Sequence, residues 1–249
     1  MTNREETEEL TRDLLFDGEL SIWQRKTGYR FGLDALLLAT DLPDIPEDAT
    51  VVDLGAGQGA VGLTVAHRYP HVQVIAVERQ DSLLELLHRN IDENEFGNVE
   101  VVAGDLRDYR DIFDPHCADL VLANPPYFRT GSRRPSPIRE RAEARHELHG
   151  DLTDFVAAAA YVLDQRGWLQ MFTPPMRMTD ALAAADPTDL SPVSLRFFHP
   201  HRHRDAYLIQ YRWRRGGAPD FAVRAPLYIY REEGIYSQEV ARRIQRERR

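Results

Sequence analysis

Thr50-Val51-Val52-Asp53-Leu54-Gly55-Ala56-Gly57-Gln58-Gly59-Ala60 is the stretch on which the fold turns. Five residues of apolar character end in an acid and a leucine. Glycines then fall at every second position, and a helix-forming segment, Ala60–Arg68, runs on until Tyr69-Pro70 stops it. A short apolar run bounded by glycines reads as a buried strand, and a strand that passes through a glycine turn straight into a helix is the opening unit of a doubly wound sheet. The same order recurs downstream. Val72–Val77 reads as a strand and Ser82–Asn94 as an amphipathic helix. Val99–Ala103 and Asp119–Ala123 read as strands, Asp154–Leu163 as an Ala-rich helix, Gly167–Phe172 as a strand and Met176–Ala185 as a helix. Strands alternating with helices imply a parallel sheet covered on both faces. Val193–Phe198 and Ala206–Trp213 follow with only a turn between them, so that pair is expected to be antiparallel. The expected fold is therefore α/β, Rossmann-like, with a seven-stranded mostly parallel sheet, one antiparallel strand and helices on both faces.

Upstream, residues 5–19 are acidic and read as a short helical lead-in. Leu20–Gln24 and Tyr29–Phe31 read as a hairpin around Lys26-Thr27-Gly28, and Asp34–Ala39 as a buried helix. The chain is expected to form one domain over 1–249: an N-terminal extension over 1–48, a core over 49–215, and an edge segment with a basic tail over 216–249. One cysteine, Cys117, leaves no internal disulfide framework and fits a reducing cytosol. The polar, acidic start lacks the apolar stretch of a secretory leader, and no run approaches membrane-spanning length. These features predict a soluble, cytoplasmic protein, and a monomer is expected. The net charge of −9 is unevenly spread. Residues 1–124 carry 10 Lys+Arg against 25 Asp+Glu, whereas residues 125–249 carry 21 against 15. A basic second half in an acidic protein is the asymmetry expected of one with an anionic partner.

The chemistry is concentrated at strand ends. In the glycine turn two frames compete. Gly57-Gln58-Gly59-Ala60-Val61-Gly62 fits the dinucleotide fingerprint and points to NAD. Asp53 with Gly55, Gly57 and Gly59 instead sets a carboxylate at the strand end. That repels a pyrophosphate but suits a ligand carrying an ammonium and a sulfonium, which points to S-adenosylmethionine (SAM). Glu78, about 20 residues on, is placed to accept both ribose hydroxyls of an adenine nucleoside. Asp105, with the backbone N–H of Leu106, suits an adenine edge, and equally suits a helix N-cap.

The fourth strand ends in Asn124-Pro125-Pro126-Tyr127. Proline fixes φ and lacks an N–H, and a residue before proline is pushed to extended backbone. The corner is therefore stiff, and it presents an amide oxygen, a backbone carbonyl and an aromatic face together. Those groups suit a planar amino group. The Asn124 side chain and the Pro125 carbonyl each accept one hydrogen, and Tyr127 either stacks on the planar target or packs the corner. A nicotinamide dehydrogenase has no use for such a corner.

With a carboxylate after each of strands one to three and Asn-Pro-Pro-Tyr after strand four, the chain resembles the class I SAM-dependent methyltransferases that methylate amino groups. Further segments resemble the bacterial tRNA(Val) adenine-N6-methyltransferase family in particular. They are Gly28–Ala39, Asn124–Gly131 with Ala144-Arg145-His146-Glu147, Phe197-Phe198-His199-Pro200, and Pro226-Leu227-Tyr228-Ile229-Tyr230. The resemblance spans roughly residues 20–245. It implies SAM as cofactor and, as acceptor, the N6 of the adenosine immediately 3′ of the anticodon of a valine tRNA. Related chemistry on a release-factor glutamine or an rRNA guanine N2 would use the same corner. The chain departs from the family at His201-Arg202-His203-Arg204, where lysines are usual, and at Thr173-Pro174-Pro175-Met176-Arg177. Arg129, Arg133, Arg134 and Arg139, in the Pro/Ser/Gly-interrupted stretch after the corner, are expected to contact RNA phosphates. Arg30 and Asp34 are expected near the methionine end of SAM. His199-Pro200-His201-Arg202-His203 reads as a solvated basic loop, and no cluster has metal-ligand spacing.

Overall fold

A computed structural model of the chain describes residues 9–27, 30–127, 151–217 and 220–244. An N-terminal hairpin, β1 (Leu10–Leu15) and β2 (Leu20–Arg25), precedes helix α1 (Leu33–Thr40). The alternating part follows as β3 (Thr50–Leu54), α2 (Ala60–Arg68), β4 (Gln73–Glu78), α3 (Asp81–Glu93), β5 (Val99–Ala103), the short α4 (Tyr109–Ile112) and β6 (Ala118–Ala123). It continues through α5 (Leu152–Val162), β7 (Leu163–Thr173) and α6 (Met178–Ala185) to β8 (Leu190–His199) and β9 (Leu208–Arg215). The chain closes with β10 (Ala222–Tyr228), a small hairpin of β11 (Tyr230–Glu232) and β12 (Ile235–Tyr236), and α7 (Gln238–Ile244).

The main sheet runs β10-β8-β9-β7-β6-β3-β4-β5. β9 is antiparallel to both of its neighbours, and every other pairing in the sheet is parallel. The single antiparallel strand is as expected, but the sheet has eight strands where seven were expected. The extra one is β10, added beyond β8. Pro226 lies where its register shifts, between Arg224 and Leu227, as suits a residue that cannot donate to a ladder and is confined to edges and bulges.

Alternate side chains of the central strands feed two cores. Val52, Leu54, Val121 and Ala123 pack with Phe155, Val156 and Ala159 of α5. Val51, Leu120 and Leu122 pack with Leu37 and Leu38 of α1 and with α2. The continuous apolar runs in β3 and β6 follow from this burial on both faces.

The N-terminal hairpin corrects the sequence expectation. The partner of β2 is β1, from the acidic segment read as a helical lead-in, with Leu15 opposite Leu20 and Leu10 opposite Arg25. Asp17-Gly18 makes the turn, Asp17 at φ 56° and Gly18 at φ 94°. Such an Asp-Gly pair flanked by alternating apolar residues is a strong hairpin signal.

The other edge of β2 is satisfied without a strand. Asn90 Oδ1 accepts from Trp23 N–H at 2.7 Å and Asn90 Nδ2 donates to Trp23 C=O at 3.0 Å. Asn94 repeats the pattern on Ser21, at 2.8 and 2.7 Å. Four residues of helix rise about 6 Å, and two residues of strand about 6.6 Å, so two amides one helical turn apart meet alternate peptides of a strand. Asn90→Ala would leave the Trp23 peptide unpaired at a cost of about 1–3 kcal/mol. The expected outcome is a melting temperature lower by several degrees and faster hydrogen exchange at the Trp23 amide. Unchanged protection there would mean that apolar contacts alone seat the hairpin.

Candidate active site

The register of the sheet brings the strand ends level. Leu54 pairs with Val77 on one side and with Ala123 on the other, and Glu78 pairs with Ala103. The glycine turn, Glu78, Gly104-Asp105 and Asn124 therefore share the carboxyl edge of the sheet. Strand order reverses between β3 and β6, which is where doubly wound sheets open a crevice for ligands.

The turn after β3 is built over two buried acids. Gly55, Gly57 and Gly59 all adopt left-handed φ, at 73°, 60° and 96°. The N–H groups of Gly55 and Ala56 donate to the Val77 carbonyl at 3.0 and 2.9 Å, folding the turn back over β4. Glu78 Oε2 accepts from Gly57 N–H at 2.9 Å, and Oε1 accepts from Arg79 and Gln80 N–H, each at 2.8 Å. A carboxylate has about four lone-pair sites. With three occupied by the backbone, Glu78 keeps capacity for one further donor rather than the two hydroxyls expected from the sequence. Burial raises its carboxyl above the usual range, opposed by these backbone bonds and by Arg79.

Asp53 departs further from expectation. It is 1% exposed, and its Oδ2 accepts from Gly62 N–H at 2.8 Å. The acid thus ties the first turn of α2 down to β3 from beneath, rather than presenting a charge to a ligand. Gly62 is the residue that permits this, since a Cβ there would stand 3.1 Å from that oxygen. Gly59 likewise serves packing. A Cβ on it would lie 2.6 Å from Leu87 Cδ1 and 2.9 Å from Leu63 Cδ1. Of the three glycines only Gly55 is exposed.

Asp105 takes the helix-cap role. Its Oδ1 accepts from Arg107 N–H at 3.0 Å and Arg107 Nη2 reaches Oδ2 at 2.6 Å, so the Arg107 side chain holds the carboxyl below its usual range. Leu106 is buried in the apolar core beside it.

At the end of β6, Pro125 is buried, and Asn124, Pro126 and Tyr127 are half-buried. Asn124 Oδ1 is buried and has no hydrogen-bond partner among the described residues. A buried carbonyl without a donor is costly and rare in native structures. Tyr127 Oη donates to Asp34 Oδ2, in the first turn of α1, which fixes the edge of the ring. Burial raises the Asp34 carboxyl, opposed by that phenol. The sequence did not anticipate this contact.

α1 is itself well anchored. Gln170 Nε2 donates to Leu38 C=O at 2.8 Å, and Asp41 at its C-terminal end lies 3.4 Å from Arg212, 3.1 Å from Arg243 and 3.7 Å from Arg196. Arg30, expected with Asp34 at a ligand, instead donates to Thr11 Oγ1 at 2.6 Å and pairs with Asp13 at 3.1 Å, tying the hairpin. Arg129, Arg133, Arg134 and Arg139 lie outside the described residues. Among the described residues no group of three or more His, Cys, Asp or Glu side chains is placed to hold a metal ion, and no helix is long and apolar enough to cross a membrane.

This sheet, with its glycine turn and the acid ending the next strand, is the class I methyltransferase fold. The chain belongs to the methyltransferase small domain family, whose match covers residues 30–182. Among solved structures it is similar to a predicted O-methyltransferase from Agrobacterium tumefaciens, with TM-score 0.69, 23% identity, and 84% of this chain and 94% of that one covered. It is also similar to M. jannaschii TYW2 in complex with AdoMet, with TM-score 0.56, 16% identity, and 86% and 90% covered. Among curated relatives it is 28% identical over 241 residues to the tRNA1(Val) (adenine(37)-N6)-methyltransferase of Porphyromonas gingivalis, with 92% of each chain covered. It is 33% identical over 136 residues to the release factor glutamine methyltransferase of Geobacter sulfurreducens, covering 51% of this chain and 45% of that one.

Asp53 has a consequence for pH dependence. Burial pushes its carboxyl from 3.8 up to about 7, the Gly62 N–H opposing the rise and the charge of Glu78 adding to it. The folded chain then holds the proton more tightly than the unfolded chain. Its contribution to stability is full below the unfolded value and is lost as pH rises through about 7. Asp53→Asn keeps an acceptor for Gly62 but cannot ionise. Its melting temperature is expected to vary less than the parent's across that window, by several degrees. Parallel profiles would show that Asp53 titrates as an ordinary carboxyl.

Proposed function

We propose that the chain is a SAM-dependent N-methyltransferase acting on the exocyclic N6 of an adenosine in tRNA, the one immediately 3′ of the anticodon of a valine tRNA. The observation that carries the reading is the buried Asn124 Oδ1, without a partner among the described residues, on a corner stiffened by two prolines beside the glycine turn. Full-length similarity to the P. gingivalis relative, named for that substrate, supports the choice of acceptor.

The residues fit SAM. Glu78 has one acceptor site left for a ribose hydroxyl, and exposed Gly55 admits close approach of the backbone. SAM supplies a methyl group activated by a sulfonium. What the chain contributes is the acceptor. The lone pair of an adenine amino nitrogen is delocalised into the ring, which makes it a poor nucleophile. Asn124 Oδ1 and the Pro125 carbonyl each accept a hydrogen bond from one N6–H and draw the nitrogen towards tetrahedral geometry, freeing its lone pair. Acceptors fixed in advance act most strongly as positive charge develops on that nitrogen. Tyr127, its edge held by Asp34, offers a face on which an extruded base stacks. Arg129, Arg133, Arg134 and Arg139 are assigned to the phosphates around it.

The test incubates the protein with methyl-labelled SAM and separate pools of tRNA, rRNA and release factor. Label is expected in tRNA, recovered as N6-methyladenosine after digestion; label in release factor alone overturns the assignment. Asn124→Ala is expected to lower transfer by about 10²–10³, with SAM affinity within a few-fold of the parent. An equal loss of SAM binding would place Asn124 in the cofactor site instead.

A further inference from the structure

The methyltransferase match ends at residue 182, and the segment beyond it returns to the same edge of the sheet. β8 is antiparallel to β9, which is antiparallel to β7, so β8 and its parallel neighbour β10 end on the same edge as β3 and β6. At that edge His199 pairs in register with Tyr228. The turns leaving these two strands carry a run of rings in contact. The His201 ring lies 5.4 Å from Tyr230, and Tyr230 lies 5.3 Å from Tyr236 with their planes only 13° apart. Beside them His199 meets Tyr228 at 5.6 Å, and the Arg202 guanidinium stands 5.7 Å over the same ring. Backbone bonds seat the group. Tyr207 N–H donates to Phe198 C=O and Tyr230 N–H to Pro200 C=O, both at 2.9 Å.

This group is continuous with the corner. Tyr127, Tyr207 and Tyr230 all pack against one buried cluster that includes Phe172, Phe198, Leu227 and Ile229. Burial raises the Tyr207 phenol well above the usual value, with Asp34, the partner of Tyr127, and then Tyr230 and Tyr236 adding to the rise. Tyr236, at the outer end of the stack, is 37% exposed. The exposed charges on the two turns are balanced, Arg202, Arg204 and Arg231 against Asp205, Glu232 and Glu233. A surface of that kind offers ring faces more than net charge.

We propose that His201, Tyr230 and Tyr236, with Tyr207 joining them to the Asn124–Tyr127 corner, form a stacking wall for an unpaired RNA base flanking the methylated nucleotide. The inference rests on the RNA reading above and names where its loop selectivity lies. Stacking on an aromatic face tolerates any base, so the wall reads that the flanking nucleotide is unstacked and single-stranded rather than which base it is.

The experiment measures steady-state transfer to unmodified valine tRNA by the full chain and by Tyr236→Ala, Tyr236→Phe and His201→Ala. Tyr236→Ala is expected to raise KM for tRNA about 5- to 30-fold, with kcat at saturating tRNA within twofold and SAM affinity unaltered. Tyr236→Phe, which keeps the ring, recovers most of the loss, and the dependence of KM on salt keeps the parent's slope because no phosphate contact is removed. His201→Ala shifts KM in the same direction. If the parent methylates tRNA and Tyr236→Ala shows the parent's KM, the wall is overturned while the function stands. A parent that labels release factor and no RNA overturns both.

Discussion

Two carboxylates buried beneath a glycine turn hold the rest of the site in place. Asp53 fastens the start of α2 to β3 through Gly62, and Glu78 fastens the middle of the turn to the end of β4 through Gly57. The backbone amides around a glycine turn need acceptors, and where they are buried, as at Gly57 and Gly62, the acceptors have to come from the protein. Each acid in turn sits where ionisation is disfavoured by burial. The turn is thus ordered by groups that a ligand never has to move.

The corner at Asn124 obeys the opposite logic. Its prolines remove donors and fix φ, and its amide oxygen is left without a partner among the described residues. Stiffness is supplied from two sides, by the buried Pro125 and by the bond from Tyr127 to Asp34 on α1. α1 is held by Gln170 and by three arginines around Asp41. Burial alone would raise the Asp41 carboxyl, but Arg243, Arg212 and Arg196 bring it below its usual range. The N-terminal extension is therefore part of the site through one phenol.

From β3 to β6 the expected strands and helices match to within a residue, because glycine and proline punctuate them, but the short α4 has no counterpart in the pattern and β7 begins at Leu163 rather than Gly167. β3, α2 and β5 have the bounds that the pattern predicts. The errors fall where a local pattern had a second physical use. The acids of residues 5–19 suggested a solvated helix, although Asp17-Gly18 offered a hairpin turn, and pairing with β2 decided the matter. Phe221–Tyr230 reads as strand-like but does not by itself say whether it completes the sheet or caps it; it pairs as β10 beside β8, with a bulge absorbing Pro226. Asp53 reads in the sequence as facing a ligand, whereas its carboxyl serves the Gly62 N–H; Asp105 takes the helix-cap role, one of the two that its sequence position suits. The Asp34–Tyr127 contact joins residues 93 apart and leaves no local signal. The corner itself was readable because two successive prolines can neither continue a buried strand nor bend freely, so an apolar run that meets them ends in a stiff turn.

The amide pairing of Asn90 and Asn94 with β2 bears on what this edge of the hairpin offers to another chain. An open strand edge is a template on which another chain can add. β2 has one edge covered by β1 and the other closed by two side chains of a helix. A side chain imitating a peptide ends the ladder, since a helix has no second row of donors to offer. Self-association through this edge is thus held off by two asparagines one turn apart, a safeguard written in two codons.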